Sequence, residues 1–239
     1  MIIAAKSLVI AVLFLLLNFV NLFKRCNADD KIISEADTSA CKVLDKTPVQ
    51  EDENGFLKDP RNGIVYRTVK IGSQTWMAEN MNLETEDSWC YEDNESNCQK
   101  YGRLYSWEAA VCVCPAGWHL PSKEDFETLY KAMGEEDING FNAAGEKLKS
   151  TSGWSECDYG GKSGNGTDAF GFAALPGGGG FSKGFIGEGK SAAFWSSTED
   201  NYHIKDGAYS LRLANCLAWA RLNYGYKMGF ESSVRCIKD

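Results

Sequence analysis

The sequence predicts an α+β domain: an antiparallel sheet with a few helices and long glycine-rich loops, stapled by disulfides and exported. Three observations predict it. A hairpin comes first, helical stretches follow and a block of short apolar runs separated by turns comes last, so helices and strands are segregated rather than alternating. Between them, residues 151–190 carry many glycines and few side chains to bury. Eight cysteines stand behind an N-terminal leader, an even set that in an exported chain reads as a disulfide framework.

The elements follow in order. Lys6 precedes an apolar run from Ser7 to Phe23, broken only by Asn18 and Asn21. Lys24 and Arg25 then lead to Cys26-Asn27-Ala28, whose small residues suit cleavage before Asp29, so 1–28 is expected to be a signal peptide. A retained membrane anchor and a lipid on Cys26 are the alternatives; Phe23, Lys24 and Arg25 are poor flanks for lipid attachment. Residues 29–53 are polar and acidic and read as a linker or arm, and the folded domain is expected over 54–239. Gly63 to Gly72 alternates and is rich in β-branched residues, a strand ending at a Gly72-Ser73 turn with Gln74 to Asn80 returning as its partner. Asp87 to Lys100 is a polar stretch holding Cys90 and Cys98. A local disulfide there would contribute about 2–3 kcal/mol in the chain-entropy account.

Ser106 is placed to cap a helix over Trp107 to Val113, with Glu108 in its first turn. Ser122 caps a second, with Asp125 three residues on as a capping-box variant. Phe126, Leu129, Tyr130 and Met133 then form one apolar stripe, and Gly134 stops the helix. A short third helix is expected over Ala143 to Lys149. From Ala192 onward, Ala193–Ser197, Ala208–Leu213, Leu217–Leu222 and Val234–Ile237 read as antiparallel strands.

Cleavage after Ala28 would remove Cys26 and leave Cys41, Cys90, Cys98, Cys112, Cys114, Cys157, Cys216 and Cys236. Eight cysteines allow 105 pairings, so counting leaves connectivity open. Zinc is disfavoured: Cys112-Val113-Cys114 has no second close pair, and His119 and His203 are the two histidines. The 25 basic residues lose Lys6, Lys24 and Arg25, leaving 22 against 33 acidic ones and a net charge of −11. No basic stripe survives, which argues against a nucleic-acid partner. No cofactor and no metal are expected.

No familiar catalytic constellation is present: there is no G-x-S-x-G elbow, no phosphate-binding glycine loop and no H-E-x-x-H. Gly177 to Gly180 does not open a helix and reads as a flexible loop. His119, beside Trp118 and Leu120-Pro121, is expected to be a buried structural histidine. His203 sits among polar residues and is the better binding candidate. Asp52-Glu53-Asn54 and Glu199-Asp200-Asn201 offer oxygen ligands for calcium but lack EF-hand spacing, so solvated loops are expected. Seven tryptophans punctuate the chain; most are expected in the core, with one or two left for a ligand.

Several blocks carry a family resemblance. Asp59-Pro60-Arg61-Asn62-Gly63 leads into Tyr66 to Asn80; Cys90-Tyr91 follows, then Tyr101-Gly102-Arg103-Leu104-Tyr105-Ser106-Trp107 and Cys114-Pro115-Ala116-Gly117-Trp118-His119-Leu120-Pro121-Ser122. Phe194-Trp195-Ser196-Ser197-Thr198 and Ser233-Val234-Arg235-Cys236 stand late in the chain. Together they resemble the Fibrobacter succinogenes major paralogous domain family over about residues 54–238. The resemblance implies a C-type lectin-like fold, shared by sugar- and protein-binding modules and by formylglycine-generating enzymes. It implies pairing of Cys114 with Cys236, Cys90 with Cys98, Cys157 with Cys216 and Cys41 with Cys112. Family members resemble exported or surface proteins, many with lipoprotein signals; this chain lacks a good lipobox.

The expected function is a secreted or cell-surface, non-catalytic binding module for carbohydrate or an extracellular protein. Function commonly lives on loops of a rigid scaffold. Asp200, Tyr202, His203, Asp206, Asn223, Tyr224 and Tyr226 offer aromatic faces and polar groups there. Membrane contact is expected only through the leader or a lipid on Cys26. The alternatives are an oxidoreductase akin to formylglycine-generating enzymes, which needs a free cysteine pair, and a structural surface-coat component.

Overall fold

In the computed structural model, residues 49, 51–137, 142–158, 161–182, 184–200 and 202–239 are described. The leader, Cys26, most of the acidic arm and Cys41 lie outside them. The chain runs through β1 (Phe56–Lys58), β2 (Val65–Ile71), β3 (Gln74–Met77), β4 (Ser88–Trp89), a 3-10 turn (Tyr91–Asp93), α1 (Glu95–Tyr101), β5 (Leu104–Tyr105) and α2 (Trp107–Val113). It continues through β6 (Trp118–His119), α3 (Lys123–Ala132) and α4 (Ala144–Leu148). Then come β7 (Gly177–Phe181), β8 (Gly184–Glu188), β9 (Ser191–Asp200), β10 (Gly207–Ala214), β11 (Ala220–Tyr226), β12 (Phe230–Ser233) and β13 (Ile237–Lys238). This is a sheet-rich α+β fold with few helices. No helix among the described residues is long and apolar enough to cross a membrane.

The strands form two sheets, one ordered β1-β2-β3-β13-β6 and the other β11-β10-β9-β7-β12-β5-β4, with β8 joined to β7. The first grows from the predicted hairpin. Ile71 pairs with Gln74 across Gly72-Ser73, and Gly72 takes a φ of 62°, the left-handed conformation that short hairpin loops favour. The last strand then inserts beside it, Ile237 facing Trp76 on one side and His119 on the other.

The helix starts follow their side chains. The Ala109 N–H donates to Ser106 Oγ at the head of α2. At the head of α3, the Asp125 N–H donates to Ser122 Oγ and the Ser122 N–H donates to the Asp125 carboxylate, a complete capping box. The α3 stop at Gly134 is a Schellman motif: the Glu135 N–H donates to the Tyr130 carbonyl and the Gly134 N–H to that of Lys131.

Four expectations need correction. The sheet is not wholly antiparallel, because β9 meets β7 and β12 in parallel. The polar stretch before Gly102 contains α1, nucleated by Asn94, whose side chain accepts the Ser96 N–H. Gly177 to Gly180 is not a loop but most of β7. At Gly178 a Cβ would collide with the Ile186 carbonyl and the Tyr91 ring, so the glycines are there to let backbones close up. The late strands are also shifted. The segment before Ala220 is tied to α4 by the Glu146 N–H donating to the Ala218 carbonyl, so β11 starts there and runs on to Tyr226. Val234 to Cys236 lies between β12 and β13, crossing from one sheet to the other.

Two clusters fill the core. One gathers Trp76, Phe126, Leu129, Phe172, Phe194, Leu211, Leu213 and Leu222 between α3 and one face of the larger sheet. The other gathers Leu57, Tyr66, Met77, Tyr105, Trp107, Trp118, Trp195 and Val234 around α2. Disulfides join Cys90 to Cys98, Cys114 to Cys236 and Cys157 to Cys216. Cys112 is disulfide-bonded as well; Cys41, the partner the resemblance implies for it, lies outside the described residues.

Candidate binding groove

Side chains alternate across a strand. Because Phe194, Leu211, Leu213, Ala220 and Leu222 turn into the core, alternation sends Ala193, Arg212, Arg221 and Asn223 to the opposite face of β9, β10 and β11. At one end that face is covered by α2, whose Trp107 and Ala110 pack in the same cluster as Trp195 and Ala208. Elsewhere it stays open as a groove of about 290 Å³ lined by Gly180, Ile186, Ser191, Ala193, Arg212, Trp219, Asn223, Phe230 and Glu231 among others. Hairpin β7–β8 and strand β12 form its far wall.

Two charged groups in the groove have no counter-ion among the described residues. The Arg212 Nε donates to Ser210 Oγ at 3.1 Å, but no carboxylate pairs with its guanidinium among the described residues. Burial alone lowers its pKa. Glu231 lies over Gly180, where a Cβ would collide with its carboxylate. Burial alone raises the Glu231 pKa. Beside the groove, Arg221 is the direct cross-strand partner of Arg212. Its guanidinium sits 4.1 Å from the Trp219 ring, and its Nε is buried with no hydrogen-bond partner.

The seven residues singled out from sequence do not form one site. Asp200, at the end of β9, is only 3% exposed and fixes the loop after it: the His203 Nδ1 lies 2.9 Å from its Oδ1. Burial raises the Asp200 pKa, but hydrogen bonds from His203 outweigh it and leave the pKa lowered. The His203 ring stacks on Tyr224 at 4.2 Å, and Tyr202 meets it edge-on at 4.9 Å. Tyr202 is 92% exposed, and Tyr224 and Tyr226 are exposed too. Asp206 is a turn residue with a φ of 60°, its carbonyl accepting the Lys227 N–H. Asn223 points the other way, into the groove. The result is an aromatic edge on one face of β11 and a groove on the other.

Arg212 and Glu231, which line the groove, and Arg221 beside it are not among the seven residues the sequence singles out. The available signal was alternation in Leu211-Arg212-Leu213 and Ala220-Arg221-Leu222-Asn223, which marks a half-buried strand with a polar outer face. Five of the seven tryptophans, at 76, 107, 118, 154 and 195, are buried, while Trp219 is half-buried and lines the groove.

His119 departs from expectation. It is not buried: its side chain is 44% exposed. In β6, Trp118 takes the inward position and His119 the outward one, where it reaches Asp239 Oδ1 at 2.7 Å and Asp125 Oδ2 at 3.4 Å. The metal-like trio Cys90, Glu95 and Cys98 offers no thiolate, since both cysteines are oxidised. Of the acidic loops, Asp52 caps its own turn through the Asn54 and Phe56 N–H groups, and Glu199 holds Lys227 at 3.0 Å.

Residues 69–238 match the Fibrobacter succinogenes major domain family. The chain belongs to that family. No curated protein and no solved structure matches it.

Proposed function

We propose that this chain is an exported or cell-surface, non-catalytic binding module for carbohydrate or an extracellular protein, on a C-type lectin-like frame. The observation that carries the reading is the open sheet face: a half-enclosed groove whose charged side chains have no counter-ion among the described residues. Leaving such groups desolvated and unpaired costs stability, and a ligand that pairs with them repays it. The frame is supported by β13 entering the sheet begun by the N-terminal hairpin. Export is supported by the disulfides, which persist in oxidising compartments.

The competing enzyme reading needs a free thiol pair. All seven described cysteines are disulfide-bonded, which favours binding over thiol chemistry. A coat component without a discrete site would have no use for an unpaired, half-buried arginine.

The test is a glycan array and an extracellular-protein pull-down with the purified exported protein, alongside Ala193→Trp, which fills the groove. A ligand retained by the parent and lost by A193W is expected. A full screen without a ligand, or a ligand held equally by A193W, sinks the reading.

A further inference from the structure

We infer that the groove recognises an anionic sugar, a pyranose ring carrying a carboxylate, with Arg212 and Arg221 holding the acid group and Trp219 the ring. This rests on the reading of the groove as the binding site and adds the class of ligand.

The arginines set the two at the groove apart. Six lie among the described residues. Arg61 pairs with Asp59, Arg67 with Glu79 and Arg103 with Glu84. Arg235 is saturated by Asn80 and backbone carbonyls. Among the described residues, only Arg212 and Arg221 have neither a carboxylate nor a full set of hydrogen-bond acceptors, and they stand directly opposite each other on β10 and β11. Like charges facing across a strand pair are destabilising. The chain as a whole is acidic, with 33 acidic against 25 basic residues, so counter-ions are abundant, yet none among the described residues is placed here. The arrangement makes sense if the counter-ion is the ligand's.

The chemistry narrows the ligand. A guanidinium matches a planar carboxylate through two parallel N–H donors. The indole of Trp219 lines the groove and packs against the Arg221 guanidinium at 4.1 Å, and its remaining surface offers an apolar face for a sugar ring. Ile186 and Phe230 add apolar wall, while Asn223 and Glu231 supply hydrogen-bonding groups for hydroxyls. Glu231 also repels a compact dianion that would fill the whole groove with negative charge. One anionic end and one neutral, hydroxyl-rich end fit this division. The volume of about 290 Å³ stands at the small end of ligand pockets.

The test is titration calorimetry on the full exported protein with disulfides intact, using a galacturonic acid trimer, a galactose trimer and sodium sulfate as separate probes. The uronate trimer is expected to bind, with affinity falling as salt is raised, and sulfate to compete weakly. Arg212→Gln and Arg221→Gln should each weaken the uronate at least tenfold. The ligand-free Tm of R212Q should be at or above the parent's, because a repulsive pair has been relieved; a tenfold loss accompanied by a collapsed Tm would instead assign Arg212 a structural role and overturn the inference. Equal binding of the neutral trimer, unaffected by R212Q but lost in A193W, overturns the anionic class and leaves the groove standing. Sulfate binding as tightly as the uronate overturns the sugar. A uronate bound equally by A193W places it outside the groove and removes both readings.

Discussion

Arg235 sets a cation in the core. It is wholly buried, with its guanidinium 4.5 Å from the Phe172 ring and 5.3 Å from that of Phe194. It donates twice to Asn80 Oδ1, at 3.0 and 2.6 Å, and also to the Met77 and Phe172 carbonyls. Among the described residues no carboxylate pairs with it, and burial drags its pKa down to about 9. The charge survives because its N–H groups meet oxygen dipoles. Arg235→Met removes the donors and strands the Asn80 and Phe172 oxygens in the core, so it should cost about 3 kcal/mol or more. Urea unfolding of the oxidised protein measures this, and a midpoint equal to the parent's would refute the role. His119 carries a pH dependence. The Asp125 hydrogen bond raises its pKa against opposing burial, with Asp239 adding to it. At Asp125, burial pushes the pKa up, but His119 and Ser122 overcome that and bring it from 3.8 to about 2. A raised histidine stabilises below its unfolded pKa of 6.5 and loses the contribution as pH rises through the folded value. A lowered aspartate stabilises above 3.8 and loses the contribution as pH falls toward 2. The gap in urea midpoint between the parent and His119→Gln should therefore be widest near pH 5 and shrink above neutrality. A gap that grows from pH 5 to pH 9 contradicts the assignment.

Among elements, β7 is the one whose sequence hides its conformation. Gly178 takes a φ of 67°, and a Cβ there would strike the Ile186 carbonyl. Gly178→Ala should destabilise by about 1–3 kcal/mol through strain and displaced backbone, whereas Ser122→Ala at the head of α3 should cost about 1 kcal/mol. Thermal melts of the two variants compare them directly, and a G178A variant as stable as the parent would mean that β7 is not packed as described. The contrast explains what could be read in advance. Helix α3 announces itself because its cap, stripe and stop are local, all within Ser122 to Gly134. Hairpin β2–β3 does so because alternation and Gly72 are local as well. Glycines leave no hydrophobic pattern, so β7 reads as a loop until β8 and β12 are seen to flank it. The groove was illegible for a related reason. Arg212 and Arg221 become neighbours only through the register of β10 with β11, and Glu231 joins them only because β12 runs antiparallel to β7. Tyr224 and Asn223, adjacent in sequence, serve opposite faces of one strand.

At the scale of the whole fold, the C-terminal strand has to be returned to the hairpin that opens the first sheet. Strand β13 has only two residues, Ile237 and Lys238, and ladder bonds that few cannot hold a terminus against fraying. What holds it is the stretch just before: the Met81 N–H donates to the Val234 carbonyl, the Met77 N–H to that of Cys236, and Cys236 is bonded to Cys114. The disulfides differ greatly in the loops they close. Cys90 and Cys98 are separated by 8 residues, Cys157 and Cys216 by 59, and Cys114 and Cys236 by 122. If the bridges act mainly by restricting the unfolded chain, loss of the shortest should cost about 2.6 kcal/mol, and loss of the longest about 4.9 kcal/mol. The longest also anchors β13, between β3 and β6, so its removal should loosen the first sheet as well as lower the global stability. Paired serine substitutions separate these effects. Cys114→Ser with Cys236→Ser should reduce the unfolding free energy by more than Cys90→Ser with Cys98→Ser, and should speed amide hydrogen exchange at Trp76, Met77 and Ile237 while leaving β9 and β10 slow. A 90/98 double variant that is the less stable of the two would show that the small loop, which holds the start of α1, is the true keystone, and that loop length does not govern how this domain is stapled.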